Sequence, residues 1–258
     1  MTRTLRRVVT YAWLPAGLVT LWWLVSSGSD SLYFPPLPDI LSAVRELWIF
    51  EHTLTDLLPS LRNMLLGFLL AVAVGTLAGL LIGSAPRLCD ALEPILEFAR
   101  AMPAVAFLPI AILVLGLDEG MRIAVIAFGA VWPVLINTVA AVRGIDPSIR
   151  DLEAAYGISA ANRLFRVRLG VALPQIIAGA RVSLYVSIAL IVVSEMQGSA
   201  HGIGHFVLTS QRTWAVVDMW SGMVVLGVTG YVLSVLFRAA ERALLRGYPA
   251  TTTRQRGA

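Results

Sequence analysis

The chain has 258 residues, of which 57% are hydrophobic and only 14% charged, with a mean hydropathy of +0.78. One soluble core cannot bury that much apolar surface, so the composition excludes a soluble globular protein and points to an integral membrane protein. The formal charge is +4 and all twenty basic residues are arginine; without lysine there is no P-loop lysine, pyridoxal Schiff base or lysine general base, and any ATP used must bind another chain.

In chain order, the basic start MTRTLRR precedes an apolar run from Val8 to Ser27. At about 20 residues this run can span a bilayer and is too long for the core of a signal peptide, so an uncleaved first span is expected over 8–27. Arg3, Arg6 and Arg7 would hold its start inside. Pro35, Pro36 and Pro38 mark an extended stretch, after which Asp39 is placed to cap a short amphipathic helix carrying Ile40, Val44, Leu47 and Trp48, expected on the outer membrane surface. The second span, 61–83, sets Gly67, Ala71, Gly75, Gly79 and Gly83 four residues apart. Such a face lets another backbone approach closely; packing within the chain is the first expectation and a subunit interface the second.

The third span, 91–117, is interrupted by Pro94, Pro103 and Pro109, each of which removes a helical hydrogen bond, so kinks are expected. Glu93, Glu97 and Arg100 share one face near its inner end; Arg100 either pairs with Glu97 or has a substrate role. The fourth span covers 121–142, with Asn137 expected in an interhelical hydrogen bond. In the fifth, 175–196, Gly179, Ser183, Ser187 and Ser194 keep one face small and weakly polar, and the serines either bond back to their own helix or line a translocation path. Arg181 is expected to snorkel to the inner boundary, and Glu195 is a gate or path residue or a helix-end charge. A glycine-rich outer loop leads to the sixth span, 219–237, and a tail with Arg238, Arg242, Arg246, Arg254 and Arg256. Six spans put both termini and the arginine-rich loop 146–174 inside, leaving Arg45, Arg62, Arg122 and Arg212 outside, as the positive-inside rule requires.

Loop 146–174, DPSIRDLEAAYGISAANRLFRVRLGVALP, has the signals of two short helices and a tight turn. Asp146 can cap a helix that opens at Pro147 and ends at Gly157, with Ile149, Leu152 and Tyr156 as its apolar stripe. Ser159 can cap a second, in which Leu164, Phe165 and Val167 alternate with Arg163, Arg166 and Arg168 before Gly170 stops it. Such a unit is a compact docking knob. The spacing from Gly157 to Leu173-Pro174, with Gly157-Ile158-Ser159, resembles the cytoplasmic EAA loop of binding-protein-dependent ABC importer permeases. In register the family's glutamate falls on Asp151, whereas the literal Glu153-Ala154-Ala155 stands two residues closer to Gly157, so either Asp151 or Glu153 is the acid that meets a partner. Phe34-Pro35-Pro36-Leu37-Pro38, Ser60-Leu61-Arg62 with Gly67, Ala101-Met102-Pro103-Ala104 with Leu108-Pro109, and Ser194-Glu195-Met196 with Gly202-Ile203-Gly204 resemble, in this order, the nitrate/sulfonate/taurine branch of that family.

The resemblance implies an all-α integral membrane fold of six transmembrane helices, similar to type I ABC importer permeases. The whole of 1–258 would form one permease domain with cytoplasmic termini and a short cytoplasmic coupling helix between spans 4 and 5. It implies a non-enzymatic transport subunit of the bacterial cytoplasmic membrane, working by alternating access. Its partners would be a second permease subunit (homodimer or heterodimer), ABC ATPase subunits that bind ATP and Mg, an extracytoplasmic substrate-binding protein and the lipid bilayer. The solute would be a small anion of the sulfonate, taurine or nitrate kind or a related organic acid. Coupling to the ATPase is expected of Asp151, Glu153, Ala154, Tyr156 and Gly157, and the pathway of Arg100, Ser183, Ser187 and Glu195. No metal or cofactor is expected in this chain: Gly202 and Gly204 disfavour a helical zinc pair of His201 and His205. Nucleic-acid binding is not expected, because topology accounts for the arginines. The competing class is a stand-alone secondary transporter or channel, which would carry ionisable groups in mid-span, and these spans are nearly free of them.

Overall fold

A computed structural model describes residues 3–28, 31–49 and 51–248. The tail residues Arg254 and Arg256, and the side chains of Arg3, Arg6, Arg7 and Ala154, lie outside what it describes. The described chain is helical: α1 (Arg3–Ser26), α2 (Leu37–Trp48), α3 (Leu58–Ser84), α4 (Pro86–Ala101), α5 (Leu108–Leu115), α6 (Glu119–Arg143), α7 (Pro147–Ala155), α8 (Ala160–Asn162), α9 (Leu169–Met196), α10 (Ile203–Arg212) and α11 (Val216–Leu244). Among the described residues, four continuous helical runs are long and apolar enough to cross a membrane: Thr53–Ser84, Glu119–Arg143, Ala160–Met196 and Val216–Leu244. The bent pair Pro86–Ala101 and Ala104–Leu115 makes a fifth if it is one span.

The chain divides into two compact units, Met1–Ser60 with Ala200–Val228, and Leu61–Ser199 with Thr229–Ala258. In the first, α2 begins directly after Pro36, with Pro38 in its opening turn. Asp39 is not the cap; it sits inside the first turn, where its charge still complements the helix dipole. The face expected to meet the membrane surface instead buries Leu37, Ile40, Ala43 and Trp48, and the Trp48 indole N–H donates to Ser221 Oγ at 3.1 Å. A π-turn at Thr53–Leu57 presents Asp56, whose carboxylate accepts the Gly202 N–H at 2.7 Å, while Ser60 Oγ accepts the Ile203 N–H at 3.0 Å. These two side chains, one turn apart, satisfy the opening N–H groups of α10. Gly202, at φ 117°, turns the chain into that helix, so His201 precedes it and His205 lies within it. The two histidines do not share a helical face, and no metal-binding cluster occurs among the described residues.

In the second unit the small face of α3 receives α6. A Cβ on Gly67, Gly75, Gly79 or Gly83 would stand 2.5–2.9 Å from Ile126, Val134, Thr138 or Val142, distances that only glycine tolerates. The first expectation for this face, packing within the chain, is what the structure has. The leucine-rich remainder of α3 (Leu66, Leu69, Leu70, Leu77, Leu81) is exposed, as a lipid-facing surface should be. On its other side α6 meets α9 closely: a Cβ on Gly179 would stand 2.7 Å from the Pro133 carbonyl, and one on Gly129 2.3 Å from Leu190. Asn137 makes no interhelical bond; it donates to the Pro133 carbonyl of its own helix at 2.8 Å. The three prolines of the expected third span act differently. Pro94 lies inside α4, Pro103 stands at an 85° break, and Pro109 opens α5. The break follows from Met102, which precedes proline and is driven to extended geometry (ψ 126°).

Candidate functional site

The site is the α7–α9 loop. Asp146 Oδ1 accepts the Ser148 N–H at 2.8 Å and its hydroxyl at 2.6 Å, which holds the Asp146 carboxyl below the usual carboxylate range. Pro147 then opens α7. At the other end Gly157 adopts φ 59° and the Ile158 N–H reaches back to the Glu153 carbonyl at 3.1 Å, a Schellman closure that needs a residue free to enter the left-handed region. Ser159 Oγ accepts the Asn162 N–H and caps α8, as expected.

Gly170 does not stop the second helix. From Ala160 the backbone stays helical through α8, a π-turn at Arg163–Arg168 and the whole of α9, 37 residues or about 55 Å at 1.5 Å per residue. Glycine in a helix interior costs about 1 kcal/mol against alanine, too little to end a run that tertiary packing supports. Pro174 is likewise inside α9 rather than before it. The π-turn widens the helix where loop and span join, a place where such turns often mark function.

The two candidate acids are in opposite environments. Glu153 is 3% exposed and lies between two arginines: Arg168 Nη2 donates to its Oε2 at 3.3 Å, and Arg163 Nε makes an ion pair at 3.4 Å without hydrogen-bond geometry. Arg163 also donates to the Ile158 carbonyl at 3.3 Å. Glu153 therefore binds α7 to the base of the 160–196 helix. Asp151 is exposed, and with it Leu152 (54%) and Tyr156 (78%); Ile149, the third member of the expected stripe, instead packs against the core. The outward face of the loop thus holds a carboxylate, an apolar side chain and an aromatic ring.

The pathway candidates stand in different settings. Arg100 is exposed and donates to Glu97 at 3.3 Å, on the rim of a cleft of about 230 Å³ lined by Cys89, Glu93, Leu135, Val139 and Arg143. Ser183 and Ser187 are fully buried in α9: Ser183 donates to the Ala130 carbonyl of α6, and Ser187 to the Ser183 carbonyl at 2.8 Å. Glu195 is 2% exposed. Arg181 pairs with Glu241 of α11. One buried charge was missed by sequence reasoning. Arg122, in the first turn of α6, is 9% exposed and its Nη1 has no hydrogen-bond partner. In the sequence it reads only as one of the outer arginines.

Four to five helices long and apolar enough to cross a membrane, with a polar capped loop between two of them, define a multi-pass membrane protein. Residues 71–248 match the binding-protein-dependent transport system inner membrane component family, and the chain belongs to that family. It is 31% identical to the putative aliphatic sulfonates transport permease protein SsuC of Bacillus subtilis, over 92% of this chain and 88% of that one. It is 29% identical to the nitrate import permease protein NrtB of Synechocystis (88% and 86%) and 28% identical to the taurine transport system permease protein TauC of Escherichia coli (89% and 86%). Its fold is similar to a chain of the MetNI methionine ABC transporter in an inward-facing conformation, with a TM-score of 0.61 over 80% of this chain and 98% of that one at 19% identity. The chain is an ABC importer permease of the nitrate/sulfonate/taurine branch.

Proposed function

We propose that this permease carries a small organic or inorganic oxyanion, of the sulfonate, taurine or nitrate kind, across the bacterial cytoplasmic membrane. It crosses that membrane six times, with α1 as the first span and both termini inside. It works as a dimer with a second permease subunit and receives solute from an extracytoplasmic binding protein. A separate ATPase subunit, which binds the ATP and Mg, docks on loop 146–174. The names of the relatives support the solute class.

The observation that carries the coupling role is continuity. Asp151, Leu152 and Tyr156 face outward from a helix that Glu153 ties to Arg163 and Arg168, and those arginines stand on the same helical run that becomes α9. A partner that moves α7 as a rigid body therefore moves a membrane span. Asp151 is the acid for the partner, and Glu153 is a positioning residue within the loop. Gly157 closes α7 at φ 59°, a conformation proline cannot adopt, so proline at 157, like a bulky residue at 154, uncouples ATP hydrolysis from uptake. The reading is tested by reconstituting the chain with its ATPase and binding protein in liposomes and following labelled taurine, ethanesulfonate and nitrate. ATP-dependent accumulation of one of them is expected; accumulation driven by an ion gradient without the ATPase would contradict it.

A further inference from the structure

Arg122 is placed where a cation is least stable by itself. Its side chain is nine-tenths buried, and Nη1 is sealed from solvent without a hydrogen-bond acceptor. It stands in the first turn of the 25-residue α6, at the end where the helix dipole is positive. The acids of that turn are engaged elsewhere: Asp118 accepts the Met121 N–H at 3.1 Å, and Glu119 pairs with Arg62. No carboxylate among the described residues makes an ion pair with Arg122. Its neighbours in the turn and the next, Met121, Val125 and Ile126, are buried apolar side chains of the core. Burial, the dipole and the lack of a counter-charge all oppose the guanidinium; an incoming anion supplies the counter-charge and is itself favoured by the positive end of the helix. A buried charge without a partner is costly as structure alone, which makes it a candidate site.

We propose that Arg122 is an anion-binding residue of the translocation path, and that its counter-charge is the oxyanion head of the solute. Placing the solute there rests on the permease reading; the anion site itself does not. A sulfonate or nitrate presents coplanar pairs of oxygens that match the two parallel N–H bonds of a guanidinium fork. Arg100 is a poorer choice because it is exposed and already paired with Glu97.

The test uses the purified full chain in detergent at fixed ionic strength, with potassium gluconate replaced stepwise by potassium ethanesulfonate or nitrate. The wild type should gain melting temperature as the small anion replaces gluconate. Arg122→Met should melt at or above the wild type in gluconate, because it removes an uncompensated buried charge, and should show no gain. Arg122→Lys should keep the gain with an apparent affinity weaker by about tenfold, the loss of one charge-assisted hydrogen bond. Arg62→Met, at an exposed pair, should keep it in full. A lower melting temperature for Arg122→Met in gluconate marks a structural arginine and overturns the proposal, as does an anion response that survives in Arg122→Met. None of these readings requires the ATPase. If the site holds but no ATP-driven uptake of an anion is found, the permease's solute class is wrong and the anion site stands.

Discussion

Asp151 and Glu153 are two residues apart, yet one faces solvent and the other is sealed between two guanidinium groups. Their substitutions should therefore separate. Glu153→Ala leaves Arg163 and Arg168 facing each other without a counter-charge, which costs about 1–3 kcal/mol, less than for a fully buried pair because solvent screens Arg163. Trypsin should then cut after Arg163 and Arg168 at a clearly raised rate, while Asp151→Asn leaves the digestion rate unchanged and weakens only the attachment of the ATPase. The difference between the acids was not legible in the sequence. Register against the EAA pattern left either one open, because it depends on a fold-back of the chain that brings residues 163 and 168 to residue 153. Capping by Asp146 and Ser159 and the turn at Gly157 were legible, since each is fixed by the residue's own backbone chemistry. Arg122 was hidden because the sequence counts it only as an outer arginine, while its burial is set by tertiary packing.

At the scale of elements, the α3–α6 contact depends on the absence of side chains at four positions. Gly79→Leu should lower stability by about 1–3 kcal/mol through overpacking against Thr138, and Gly227→Ala, with nothing within 4 Å, should be neutral or slightly stabilising. Chemical unfolding in mixed micelles, followed by tryptophan fluorescence, reads both. The small-residue spacing announced this seam because helical periodicity is local information. The extent of α9 was not announced. Gly170 and Pro174 are ordinary stop signals, and here the packing of α9 against α6 overrides them. That continuity has a consequence for coupling. Two glycines inserted between Arg168 and Leu169 should leave the ATPase bound and hydrolysing, while uptake per ATP falls to background in proteoliposomes. Unchanged uptake would show that the π-turn and α9 are not the route of transmission.

In the second unit the glycine face of α3 is packed and its leucines are exposed, as an apolar composition requires of helices in a membrane. On the proposed reading, what organises the molecule functionally is the polar, capped loop 146–174. The central claim is that this loop is where an ATPase subunit attaches. The most direct measurement is to tag the chain, solubilise the native membrane gently and identify by mass spectrometry what co-purifies, with Gly157→Pro beside the wild type. Proline cannot adopt the φ of 59° that closes α7, so the docking surface is lost while the spans remain. An ABC ATPase subunit recovered with the wild type and missing from Gly157→Pro is the predicted result. The chain recovered alone in both samples, even after crosslinking in the intact membrane, would contradict the account.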